Sequence, residues 1–86
     1  MKFSKKPMTI NDVIKLRYKS IVQEINEKLY YYFIPALKCA EIPKLKLGSV
    51  YRNDWLYFYQ RIKDDYEKLG WLIEDTRDFI IIKKVD

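Results

Sequence analysis

At 86 residues the chain has room for one domain, which buries only about 60–65% of its unfolded surface. A composition of 49% hydrophobic and 34% charged residues, with two glycines and three prolines, excludes a disordered or low-complexity chain. The absence of histidine removes the commonest general base and metal ligand, lone Cys39 excludes an intrachain disulfide, and a net charge of +5 leaves phosphate, an anionic surface or an acidic protein as candidate partners.

Residues 1–8 read as a basic arm carrying Lys2, Lys5 and Lys6, mobile unless a partner holds it. Residues 9–86 read as a single α+β domain. The arm lacks the apolar core of a signal peptide, and no apolar run approaches the roughly 20 residues of a membrane span. The expectation is a cytoplasmic, reducing setting. Charge is uneven along the chain: residues 1–48 hold ten Lys and Arg against four Asp and Glu, and residues 49–86 hold seven against eight.

Thr9 and Asp12 have the spacing of a capping box, with Met8 and Val13 in the hydrophobic-staple positions. The apolar stripe from Ile10 through Tyr18 and Ile25 to Phe33 then predicts a long amphipathic helix. Lys15, Arg17 and Lys19 make its first half basic. The run Tyr30-Tyr31-Tyr32-Phe33-Ile34 places rings on every side of the helix, so either the chain's own hairpin buries that end or the rings form a patch for a partner.

Pro35 should break the helix and open a short helical turn through Cys39 or Ala40, ended by Ile42-Pro43. Cys39 has no activating neighbour and reads as a small packed residue. Lys44-Leu45-Lys46-Leu47 alternates as a short strand would, leucines inward and lysines outward, and stops at Gly48-Ser49. A second helix begins near Ser49 or Asn53, either of which can cap it. Its stripe is Trp55, Tyr59, Ile62, Tyr66 and Leu69, with Gly70 as the C-terminal stop and Lys68 beside the negative end of the dipole. Residues 71–74 and 79–84 then form a hairpin around Asp75-Thr76-Arg77-Asp78. Consecutive Ile80, Ile81 and Ile82 make both faces of the last strand apolar, which calls for cover on both sides or pairing with another chain.

No catalytic template is present. Without histidine there is no Ser-His-Asp or Cys-His set, and two isolated glycines make no phosphate loop. Asp64-Asp65-Glu67 and Glu74-Asp75-Asp78 read as solvated carboxylates, interleaved with lysines or hydrating a turn. No cofactor, metal or small-molecule substrate is indicated.

The order of short strand, helix and hairpin over residues 44–84 resembles winged-helix DNA-binding domains in element order, without a sequence motif. That resemblance implies a basic or amide-rich helix ahead of the wing. Here residues 53–69 carry three positive and four negative side chains, a departure that argues against groove insertion. Separately, Tyr66-Glu67-Lys68-Leu69-Gly70-Trp71-Leu72-Ile73 resembles a helix-to-hairpin junction of small phage-encoded α/β proteins. This second resemblance implies an accessory, virion-associated or host-inhibitor protein that works by binding, in the host cytoplasm or the virion.

The favoured expectation is therefore a non-enzymatic interaction protein that contacts a protein partner or itself through Tyr30, Tyr31, Tyr32, Tyr57 and Phe58. Tyr57 and Phe58 enter because they lie off the second helix's stripe. The alternative is non-specific nucleic-acid binding, with Lys2, Lys5 and Lys6, then Lys15, Arg17 and Lys19, and finally Lys44 and Lys46 holding backbone phosphate.

Overall fold

The computed structural model describes residues 5–85, with Val50 described by its backbone alone. Lys2 and the rest of residues 1–4 lie outside the described residues.

Thr9 starts helix α1, Ile10–Tyr32, through a complete capping box: its hydroxyl accepts the Asp12 N–H at 3.1 Å, and the Asp12 carboxylate accepts the Thr9 N–H at 3.2 Å. At 23 residues α1 runs about 34 Å, and its first turns outreach the rest of the fold. Ile10, Val13 and Met8 are consequently exposed, and the buried stripe begins in earnest only at Tyr18, Ile21 and Ile25.

Beyond α1 the chain departs from expectation. Strand β1, Phe33–Ile34, precedes the turn expected after Pro35, which spans residues 35–38 and is shorter than expected, because strand β2, Cys39–Pro43, takes over from Cys39. The reason is tertiary: β2 pairs antiparallel along its whole length with a later strand, and that ladder extends Cys39 and Ala40. Ala40 and Ile42 point into the core and Glu41 points out, so the period is two; Pro43 sits at the strand's last position, where a missing N–H is tolerated.

Lys44–Lys46 is a single 3₁₀ turn and not a strand. The Lys44 N–H donates to the Asp78 carbonyl at 2.9 Å, after which no strand partner remains, and the Leu47 N–H closes back on the Lys44 carbonyl. Leu47 is fully buried, while Leu45 is 93% exposed.

Helix α2, Ser49–Glu67, has Gly48 as its N-cap and receives no side-chain cap from Ser49 or Asn53. The cap comes instead from α1, where the Glu24 carboxylate accepts the Gly48 N–H and brings negative charge to the positive end of the α2 dipole. The buried stripe of α2 is Tyr51, Trp55, Phe58, Ile62 and Tyr66, with Tyr59 half-buried at its margin. Leu69 lies past the C-cap and is 76% exposed.

Gly70, at φ 92°, ends the helical segment as expected, and β3, Trp71–Asp75, turns into β4, Phe79–Lys84. The turn is closed by Thr76, whose hydroxyl accepts the Phe79 N–H at 3.1 Å. The four strands form one antiparallel sheet in the order β1-β2-β4-β3. Strands β2 and β3 therefore run parallel with β4 inserted between them, a split βαβ arrangement with α2 as the crossover.

Both helices join one continuous core with Ala40, Ile42, Ile73, Ile80 and Ile82, which places them on the same face of the sheet. On the other face Ile81 is half-buried in a row between Glu41 and Glu74. Glu74 pairs with Lys83 at 2.7 Å beside it. The chain is thus an α+β domain with the order helix, short strands, helix, hairpin. Among the described residues no helix is long and apolar enough to cross a membrane.

Candidate functional site

Polar contacts lock the helices together, and they account for several residues that the sequence left without a role. Arg17 donates from Nε and Nη2 to the Asp54 carboxylate at 2.6 and 2.8 Å, which raises the guanidinium pKa further. Tyr18 donates to Asp65 beneath the Arg61 guanidinium, whose carbon lies 3.8 Å from the ring centroid. Burial first, then that hydrogen bond and the Asp65 charge, push the Tyr18 phenol up to about 12. Tyr66 donates to Asn26 Oδ1 at 2.5 Å, and burial is the main cause of its raised pKa. Tyr51 is also raised, by burial and then by the charges of Asp75 and Glu24.

Four carboxylates of the two groups singled out in the sequence, Asp64, Asp65, Glu74 and Asp75, are engaged in this framework. Asp64 accepts from Gln60, Asp75 accepts from Trp55 Nε1 and pairs with Lys44 at 2.5 Å, and Glu74 pairs with Lys83. Among the described residues no cluster of Asp, Glu and Cys is arranged to hold a metal ion. Cys39 is half-buried in β2.

The basic candidates are scattered. Arg17 and Lys44 are drawn into ion pairs with Asp54 and Asp75, and Lys46 lines a shallow cleft that also holds Glu24 and Glu27. Lys15 and Lys19 are exposed one turn apart on α1, and Lys5 and Lys6 are exposed ahead of it. Arg17 faces α2 through that pair.

The aromatic candidates separate more sharply. Tyr30 and Tyr31 are 87% and 80% exposed at the end of α1, whereas Tyr32 is half-buried against the core. Phe58 is 4% exposed, its ring 5.3 Å from that of Tyr18, so it belongs to the core; Tyr57, its edge-on neighbour, is exposed on α2. The structure brings Tyr30 and Tyr31 together with residues not anticipated as contacts.

Those residues surround Trp71. Phe33 meets Trp71 edge-on, with ring centroids 5.8 Å apart, and both rings line two adjoining open clefts. One cleft, about 810 Å³, is walled by Leu29, Tyr30, Tyr31 and Pro35. The other, about 520 Å³, continues from the same two rings between Lys38, Leu69, Lys84 and Val85. Leu37, in the turn after β1, and Ile34, in β1, are also exposed.

Ordinary chemistry explains the local build. Pro35 cannot extend either helix or strand pairing, so the chain turns there and leaves Tyr30 and Tyr31 without a covering strand. Gly70 lets α2 reverse straight into β3, which sets Trp71 under the end of α1. The sequence reading put Leu69 on the stripe of the second helix and Trp71 at the start of a strand, and took neither as a contact.

No family model, curated protein or solved structure matches this chain, and its functional reading therefore rests on the geometry and chemistry of the Trp71 cleft.

Proposed function

We propose that the chain is a small non-enzymatic interaction protein that engages a polypeptide partner, or a second copy of itself, through the double cleft around Trp71. One observation carries this reading: Tyr30, Tyr31 and Leu69 stand largely exposed around a concave surface floored by Phe33 and Trp71. Contiguous exposed apolar surface of that kind is characteristic of interfaces. Tyrosine and tryptophan suit such a surface, since each offers a large contact area with few rotatable bonds. A role in binding is also what the likeness of the Tyr66 to Ile73 junction to small phage-encoded accessory proteins implies.

Non-specific nucleic-acid binding is less well supported, because two of its proposed contacts, Arg17 and Lys44, are already neutralised by carboxylates.

The test compares the native chain with a Tyr31→Ser, Leu69→Ser variant in sedimentation equilibrium and in affinity capture. The expected result is self-association, or a captured protein, that the variant loses. A native chain that stays monomeric and retains nothing beyond what the variant retains refutes the proposal.

A further inference from the structure

Charge around the double cleft is segregated. The larger lobe, floored by Phe33 and Trp71, is lined by Leu29, Tyr30, Tyr31 and Pro35 with Asn26, and none of these carries a charge. Among the described residues the adjoining lobe has two charged side chains in its lining, Lys38 and Lys84, and both are cations. Their backbones adjoin, since the Lys84 N–H donates to the Lys38 carbonyl at 3.1 Å. Lys38 also occupies the left-handed backbone region at φ 50°, which glycine or asparagine adopts more readily, so a lysine stands there against backbone preference.

Both helices end beside the cleft, and each C-terminus carries roughly half a unit of negative charge. Against that sum the described lining of the smaller lobe sets two positive charges.

We propose that the occupant is an acidic amphipathic peptide segment of a partner protein. A large apolar side chain seats in the uncharged lobe against Trp71 and Phe33, and an adjacent Asp or Glu carboxylate reaches Lys38 and Lys84. The inference rests on the reading of the cleft as a protein-binding site and adds the chemistry of what it binds. A desolvated apolar anchor with a charged contact at its margin is the usual division of labour in such interfaces. Complementary charge then sets orientation and association rate more than it sets affinity. A nucleic-acid strand fits less well. It carries a phosphate at every nucleotide, and the uncharged lobe has no cation to meet one.

The experiment selects binders from a displayed library of random peptides on the immobilised full chain, then measures the winners by fluorescence anisotropy. Winners are expected to join a Leu, Phe or Trp to a neighbouring Asp or Glu. They should weaken roughly tenfold or more on the Lys38→Glu, Lys84→Glu double variant, a loss of the size that removing a charge-assisted contact produces. A Lys15→Gln, Lys19→Gln variant should bind them unchanged. Lys38 and Lys84 are exposed, and a thermal melt of the double variant confirms that it remains folded.

Winners without acidic residues, or winners indifferent to the charge reversal, overturn the acidic-segment inference and leave protein binding standing. Failure to recover any peptide that discriminates the native chain from the Tyr31→Ser, Leu69→Ser variant overturns both. Two further results assign the cleft to another occupant and overturn the inference. One is an oligothymidylate probe that outcompetes every peptide; the other is concentration-dependent dimerisation that Leu69→Ser abolishes.

Discussion

Truncating Phe58 to alanine should cost the fold about 3–5 kcal/mol, the range for phenylalanine removed from a packed core. The ring is 4% exposed, packs at 5.3 Å against Tyr18 and joins the buried stripe of α2 to α1, so its removal opens a cavity between the two helices. A domain of 86 residues has a total stability of about 4–13 kcal/mol. The substitution therefore takes away a large share of it and should lower the melting temperature by at least about 12 °C. Tyr57→Ala is the matched control on the next residue: the ring is 71% exposed, and alanine is the better helix former. Its effect should lie within about 0.5 kcal/mol of zero. Urea denaturation followed by circular dichroism, with the slope checked for constancy, measures both. Equal losses for the two variants, or a Phe58→Ala loss below about 1 kcal/mol, would refute the assignment of Phe58 to the core.

Glu24→Ala removes the acceptor for the Gly48 N–H and the charge at the start of α2, and should cost about 1–2 kcal/mol in urea melts. Glu24→Gln should recover part of that, and an alanine variant as stable as the native chain would show that the α2 N-terminus needs no cap from α1. Gly70→Ala should cost about 1–2 kcal/mol through backbone strain alone, since φ is 92° and an added Cβ meets nothing within 4 Å; an unchanged melting temperature rejects it. Stability should also fall at alkaline pH. Tyr18 is pushed up to about 12, mainly by burial and then by its bond to Asp65, and burial raises Tyr51 and Tyr66 as well. The unfolded phenols ionise near 10, so the folded state holds more protons above that pH. The contribution is complete below about 10 and is lost as pH rises through the folded-state values, at up to about 1.4 kcal/mol per pH unit for each phenol. Phenolate absorbance should complete its rise together with loss of the circular dichroism signal; complete ionisation in a chain with native dichroism would contradict it.

The elements that were legible in the sequence are those whose signals are local. The Thr9–Asp12 capping box, the long stripe of α1, the Gly70 stop and the β-branched hairpin each arise from neighbours in sequence, and each is found. What was misread depended on distant partners. Strand β2 exists because β4 runs alongside it, and nothing within residues 39–43 announces that partner. Residues 44–47 alternate as a strand would, yet the sheet has ended by Lys44 and the segment closes into a 3₁₀ turn. The stripe of α2 was placed one position off at Tyr59 in place of Phe58, because spacing alone cannot distinguish two adjacent rings when α1 covers one side of the helix. Of the aromatic candidates, Tyr30 and Tyr31 stand at the cleft, while its floor, Trp71 and Phe33, was read only as strand and stripe.

The cleft lies where several elements terminate together, and that coincidence explains both its shape and its chemistry. Helix α1 stops two residues before Pro35, α2 stops before Gly70, and β4 runs out at Lys84. Side chains at the ends of elements lack neighbours on one side, so Tyr31, Leu69 and Val85 stay exposed although each continues a segment that is well packed a turn or two earlier. A polar residue at any of these three positions would leave the caps and ladders unchanged, since none of the three side chains belongs to the buried core. The fold therefore requires Phe33 and Trp71 to be apolar, because they pack against that core, but makes no such demand of Tyr30, Tyr31 or Leu69. Their large apolar surface is best explained by something outside the domain, and the paired lysines at one margin give that contact a direction.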